Sequence, residues 1–243
     1  MESLGWVALA WLLPIGLILL GAASVPQEEA PERAAAGLLG IVVAILGYAL
    51  LGFGFQFGGL GLVSDLPGAE GMVREWGPLD TTWGLGWGVI GLGGFDLLRG
   101  TTSPELTSLF IHQAALLASS IAIPALALSK RLRSRGLAVI ALLVGVFVYP
   151  IFGNWAWGGG WLSQLGNTLD LGYGFVDFAG AGAVHVLGAT LALSGLVVLG
   201  ARLPSPKRGP LPPPPAHLPL LGILGGFAIL VGWFGLAVGN PLA

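Results

Sequence analysis

Six long apolar stretches, separated by polar turns and by loops rich in glycine or proline, set the pattern of this chain. A helix needs about 20 mostly apolar residues to cross a lipid bilayer, and each stretch approaches that length. We therefore predict an all-α fold, a polytopic transmembrane helical protein whose single membrane domain covers residues 1–243. The six predicted spans lie at about 4–24, 35–58, 106–128, 136–157, 179–200 and 218–238.

Two apolar segments allow a second interpretation. Residues 4–24 could be a signal peptide, since "GAAS" offers small residues for cleavage, but the segment before them carries Glu2 and no Lys or Arg. Signal peptides begin with positive charge, so a spanning helix is the better prediction. Residues 83–98, "WGLGWGVIGLGGFDLL", are short and rich in glycine. They predict either a folded loop or lid, or a partly ordered loop.

Composition agrees with a membrane protein. Of the 243 residues, 55% are hydrophobic and 9% are charged, and the mean hydropathy is +0.87. A soluble domain carries about 25% charged residues. A net charge of −2 gives no sign of a nucleic-acid partner, and the absence of cysteine excludes disulfides and thiolate metal sites. No phosphate loop, metal-binding histidine pair or nucleophile motif is present, so we predict neither an enzyme nor a bound cofactor or metal ion.

The basic residues predict the orientation in the cell membrane. Eight of the ten Lys and Arg residues follow spans one, three and five, namely Arg33, Lys130, Arg131, Arg133, Arg135, Arg202, Lys207 and Arg208. Short basic loops remain in the cytoplasm. We therefore expect the N-terminus to lie outside the cell, the loop 59–105 to be extracytoplasmic, and the proline-rich connector 201–217 to be cytoplasmic.

Three polar or aromatic residues stand out near the spans, where a polar group is costly and often functional. His185 lies well inside span five, where it either hydrogen-bonds a neighbouring helix or lines a path for a small hydrogen-bonding molecule. A neutral imidazole suits such a path because one ring nitrogen donates and the other accepts. Asp177 is either a helix cap or an anion beside a cation site. Trp157 is either an interfacial tryptophan or a ring face for a cation.

Several motifs resemble the ammonium transporter family (Amt/Mep/Rh). They are "NWAWGGGW", "VDFAGAGAVHVLGA" and "HLPLLGILGGFAILVGWFGLAVGNP", and "LFIHQAALLASSIAIPALALSKRLR" is similar to the third helix of the family. The resemblance extends over nearly the whole chain. It implies a channel-like conductor of ammonia that is recruited as ammonium, in a homotrimer with one pore in each subunit.

The resemblance also implies roles for individual residues. Trp157 matches the tryptophan of the outer vestibule, and Asp177 matches the structural aspartate beneath it. His185 matches the first of two histidines that share a hydrogen bond along the pore. These matches make His185 a pore residue and place Trp157 and Asp177 at the substrate-binding vestibule.

Four positions differ from the family pattern. The two phenylalanines that cover the pore read Leu116 and Leu236, and a vestibule aromatic and a vestibule serine read His112 and Asn240. Leucines can close a pore by excluding water, but they offer no ring face to a cation. The cation site is then either weakened or replaced by hydrogen bonds from His112 and Asn240.

The chain is also shorter than the resemblance implies. The family has eleven spans, and the second pore histidine belongs to a span that this sequence does not reach. The sequence could be a fragment, work with a partner that supplies the missing C-terminal half, or be a degenerate relative. Two functions therefore remain open: ammonium or ammonia transport across the bilayer, and a non-conducting sensor or assembly subunit of the same fold.

Overall fold

The computed structural model describes residues 2–95, 102–200, 215 and 217–242. Among these residues, six helices are long and apolar enough to cross a membrane, which confirms the predicted helical membrane fold. They are span one (Gly5–Ala23), span two (Gln27–Leu62), span three (Pro104–Leu128), span four (Ser134–Trp157), span five (Ala181–Leu199) and span six (His217–Val238). Nearly all of the connector 201–217, and residues 96–98 of the segment 83–98, lie outside the described residues.

Prolines determine where spans two and three begin. Ser103 caps span three, because its Oγ accepts a hydrogen bond from the Leu106 N–H at 3.0 Å, and Pro104 occupies the first helical position. Pro31 lies in the first turn of the α-helical part of span two, where a missing N–H costs nothing. Span two therefore begins well before the expected residue 35.

Span one is interrupted by a proline rather than started by one. Pro14 has no N–H to donate to the carbonyl four residues earlier, and the helix divides at Trp11 into Glu2–Ala10 and Leu12–Ala23. The bond from the Ile15 N–H to the Trp11 carbonyl is correspondingly long at 3.4 Å. The two parts of span one still follow each other as one helical segment, Gly5–Ala23, that is long enough to cross a membrane.

Span three is the centre of the bundle. Within its most apolar stretch 83% of residues are buried, against 22–44% in the other spans. Spans one, two and five pack against it, while span one also pairs with span six and span two with span four. Span one and span six approach closely through glycine: a methyl group on Gly16 would lie 2.6 Å from the Gly225 carbonyl oxygen. Small residues at the contact allow such packing.

A chain of buried hydrogen bonds connects spans two, three and four. The Tyr48 hydroxyl donates to Gln56 Oε1 at 2.7 Å, and Gln56 Nε2 donates to Gln113 Oε1 at 3.0 Å. The Tyr149 hydroxyl donates to the same Gln113 oxygen at 2.7 Å. None of the four side chains is more than 1% exposed. In an apolar interior these groups have no water to replace a lost partner, so the chain holds the three helices in one arrangement.

The loop between spans two and three is folded against the bundle. Strand β1 (Glu75–Trp76) pairs antiparallel with strand β2 (Ile90–Gly91), and a short helix, Asp80–Trp83, lies between them. Asn154 of span four donates to Glu75 Oε1 at 2.8 Å and to the Gln56 carbonyl at 3.1 Å. The buried hydrogen-bond chain thus continues into the loop. The described part of 83–98 favours the folded-loop interpretation.

We predict that Glu75 makes stability depend on pH. Burial raises the pKa of its carboxyl; the hydrogen bond from Asn154 opposes that shift and the charge of Asp80 adds to it. The folded protein therefore binds this proton more tightly than the unfolded chain does. The resulting contribution to the free energy of unfolding is largest below the ordinary glutamate pKa of 4.5 and is lost as pH rises through the raised pKa.

Thermal unfolding in detergent across the acidic to neutral range tests this. Glu75→Gln should abolish that loss and keep an oxygen for Asn154, whereas Glu75→Leu should be less stable than Glu75→Gln by about 0.5–1.5 kcal/mol at every pH. Glu70→Gln is the control. Hydrogen bonds from the backbone N–H groups of Glu70 and Gly68 lower the Glu70 pKa. The contribution of Glu70 to the free energy of unfolding is therefore lost as pH falls, in the opposite direction to that of Glu75. An identical pH profile in parent and Glu75→Gln would contradict the prediction.

Candidate functional site

His112 is a buried imidazole with one free nitrogen. It lies in span three, 2% exposed, and its Nε2 is 3.0 Å from the carbonyl oxygen of Leu236 in span six. A carbonyl oxygen only accepts, so Nε2 carries the hydrogen and donates it. In the neutral ring Nδ1 is then an acceptor. Nδ1 is buried and has no partner among the described residues.

Two leucines surround this histidine at the meeting point of three spans. Leu116 lies one helical turn further along span three and is 2% exposed, and Leu236 of span six is fully buried. At the entry to span five, Gly180 has φ +74°, and a side chain there would overlap Leu116. Only glycine meets both conditions without strain. The structure therefore brings His112, Leu116 and Leu236 together.

Trp157 and Asp177 form a second pair. The Trp157 indole N–H donates to the Asp177 carbonyl oxygen at 3.0 Å. The Asp177 side chain is 6% exposed, and its Oδ2 accepts from the N–H groups of Gly182 and Ala183 at 3.0 and 3.1 Å. This is the geometry of a helix cap, the first of the two alternatives for Asp177. The half-buried Trp157 ring packs on the core, and its cation-face role stays a prediction.

His185 and Asn240 lie apart from these groups. His185 belongs to a π-helical turn, Ala181–Val186, and its side chain is exposed, with no hydrogen bond to any described residue. Asn240 Oδ1 accepts from the Leu242 N–H at 3.0 Å and closes a turn after span six. The pore role of His185 and the vestibule role of Asn240 therefore stay predictions.

Sequence reasoning missed the polar groups of the hydrogen-bond chain. Gln56, Gln113 and Asn154 are all buried inside apolar spans, and none was singled out as a candidate. The signal was available, because the cost of a polar group in hydrocarbon applies to an amide as it does to His185. What the sequence could not supply was their partners on other helices.

The family model of the Ammonium Transporter Family matches residues 3–243. The chain belongs to this family. It is a multi-pass membrane protein, and the motifs that suggested the resemblance lie in spans three to six and the segments that join them. The family prediction is confirmed.

Individual relatives agree with this membership. The chain is 33% identical over 164 residues to the ammonium transporter Amt2 of Archaeoglobus fulgidus, a match covering 66% of this chain and 35% of the relative. It is 28% identical over 241 residues to ammonium transporter 1 member 3 of Solanum lycopersicum, covering 96% and 45%. The chain thus spans between a third and a half of the length of these curated relatives.

Solved structures share the fold. A structure described as Sensor Amt Protein has a TM-score of 0.69 at 24% identity, and the match covers 99% of this chain and 54% of that chain. Mep2 of Candida albicans has a TM-score of 0.62 at 22% identity, covering 99% and 49%. At these identities the likeness concerns the fold alone.

We predict that Asp177 stabilises the start of span five as a cap. Asp177→Ala should lower the free energy of unfolding by about 0.5–2 kcal/mol, because two N–H groups lose their acceptor. Asp177→Asn is the matched variant, since its amide oxygen can still accept from Gly182 and Ala183. Thermal unfolding of both variants in detergent measures the difference. Equal stability of Asp177→Ala and the parent would leave Asp177 without a capping role.

Proposed function

We propose that this chain moves ammonium, or ammonia derived from it, across the cell membrane. The observation that carries the proposal is the unpaired Nδ1 of His112. Ammonium has four N–H donors and no acceptor, so it needs an acceptor wherever it leaves water. The hydrogen bond to Leu236 makes Nδ1 that acceptor. The role proposed is transport rather than enzymatic catalysis.

Further unpaired groups support a path along span three. Ser108 Oγ and Ser120 Oγ are buried without a partner among the described residues, as is His112 Nδ1. Ser108 precedes His112 by four residues and Ser120 follows Leu116 by four, so these residues follow one stripe of the helix. An unpaired buried polar group costs about 1–3 kcal/mol. A small hydrogen-bonding molecule on this stripe would offset that cost.

The apolar groups on the stripe favour the neutral form of the substrate. Leu116 separates His112 from Ser120, and moving a bare cation past it would be expensive. We propose that ammonium is held near His112, gives its proton to water on the vestibule side, and continues as ammonia toward His185. In this proposal Trp157, Asp177 and Asn240 shape the vestibule. The exposed side of span five would receive further helices, and the assembly is a homotrimer.

A second candidate function is binding without conduction, as in a sensor or an assembly subunit. The observation that favours it is the complete burial of Leu236 together with the near-complete burial of Leu116. Leucines at such a constriction can exclude water and close it. His112 would then recognise ammonium without passing it on.

Ammonium flux into liposomes distinguishes these functions. In a conducting chain, His112→Leu removes the acceptor and should weaken ammonium recruitment by about 1.5–3 kcal/mol, or roughly tenfold or more in the half-saturating concentration. His112→Gln, which restores an acceptor oxygen, should recover part of it. His185→Ala should lower the flux. Each is measured with the chain alone and with a chain that supplies a second pore histidine.

The third histidine of the sequence provides the control. His217 is exposed at the start of span six, and His217→Gln should leave the concentration dependence unchanged. Unaltered flux in His112→Leu would contradict the proposed role of Nδ1. No flux in any combination, together with an ammonium-dependent rise in unfolding temperature that His112→Leu abolishes, would establish binding without conduction.

We propose that the N-terminus lies outside the cell membrane, on the distribution of basic residues. The chain has no cysteine, so the labelling of a single introduced cysteine reports on which side of the membrane that residue lies. Cysteines at Ser134 and Ser205 should be shielded from an impermeant thiol reagent added to intact cells, and a cysteine at Thr81 should react. Labelling of the first two and protection of Thr81→Cys would reverse the orientation.

A further inference from the structure

A cavity of about 640 Å³ lies at the end of the bundle where span three ends and span four begins. Three cations line it, Lys130, Arg131 and Arg133, against a single carboxylate, Glu32. We call it the basic cavity. It lies about 25 Å along span three from His112, on the opposite end of the helix, so it is separate from the proposed transport site.

The positive charge of the basic cavity is only partly compensated. Lys130 contacts Glu32 of span two, and this is the one ion pair among the described residues. Arg131 Nη1 donates to the Gly200 carbonyl, which is neutral and leaves the guanidinium charge in place. Arg133 has no ion-pair partner among the described residues. Two of the three cations therefore have no counter-charge within the ranges that the structure describes.

Backbone N–H groups add to this positive potential. Span four begins at Ser134, and no side chain caps its N-terminus. The first N–H groups of a helix have no partner within the helix and favour an anion. The start of span four lines the basic cavity through Ser134, so these groups add to the cations at the same place.

Apolar surface continues from the cavity toward the membrane interior. Leu39 of span two and Leu137 of span four belong to its lining. On the same two helices, Leu38, Val42 and Val139 are each more than half exposed. A basic cavity beside exposed apolar helix faces marks the boundary between head groups and acyl chains.

We propose that the basic cavity binds a phosphate group, carried either by an anionic membrane lipid or by a free phosphate ion. A phosphate offers several oxygens at once, and arginine side chains and helix N-terminal N–H groups are suited to it. A lipid would extend its acyl chains along the apolar faces of spans two and four. The proposal concerns a regulatory or anchoring ligand and does not rest on transport.

The test uses the purified full chain in detergent and its unfolding temperature, which rises with ligand binding. The probes are dioctanoyl phosphatidylglycerol, dioctanoylglycerol with the same chains and no phosphate, and inorganic phosphate against chloride at equal ionic strength. We expect the phosphatidylglycerol to raise the unfolding temperature of the parent and the dioctanoylglycerol to leave it unchanged. A shift with inorganic phosphate identifies a free ion, and a shift with the lipid alone identifies a head group.

Three variants test whether the cavity is responsible. Arg133→Gln should weaken the apparent affinity about fivefold, as expected for one cation beside an anionic head group. Arg135→Gln is the matched control, because it removes the same charge from the same turn and does not line the cavity. Glu32→Gln should strengthen binding by releasing Lys130, and it carries the test if Arg133→Gln does not fold. Equal losses at Arg133 and Arg135, or no dependence on phosphate, would overturn the proposal.

Discussion

The buried hydrogen bond between Gln56 and Gln113 sets the orientation of the central helix of the bundle. It fixes span three against span two, and Tyr149 of span four binds the same Gln113 oxygen. Successive helical residues point about 100° apart, so a Gln113 held toward spans two and four directs His112 to another side of the helix. There His112 meets Leu236 of span six. The structural amide and the candidate functional imidazole are consecutive residues with separate tasks.

The candidate site forms where glycine allows span five to approach span three. Gly180 carries no side chain that would displace Leu116, and Asp177 satisfies the first N–H groups of span five. Trp157 then connects span four to the backbone of Asp177. Each of these contacts is modest by itself. Together they hold the entry to span five beside His112, whose Nδ1 has no partner in the described part of the chain.

Span three serves both ends of the molecule with different chemistry. Near one end its polar groups are neutral, buried and short of partners, which suits a small donor that must leave water. At the other end the turn after the helix carries a cluster of cations around an open cavity. The two ends of span three differ because a charged side chain is stable only where water or lipid head groups reach it.

By itself the sequence determined the six spans, the family and the possibility that Asp177 caps a helix. Apolar run length, motif spacing and helix caps are local properties. Even so, span two began earlier than expected, since Pro31 fits the first turn of a helix instead of preventing it. Tertiary structure alone decided that Gln56, Gln113 and Asn154 bind one another, and that His112 rather than His185 is the buried imidazole. Both outcomes depend on which helix faces meet, and residues far apart in the chain set those contacts.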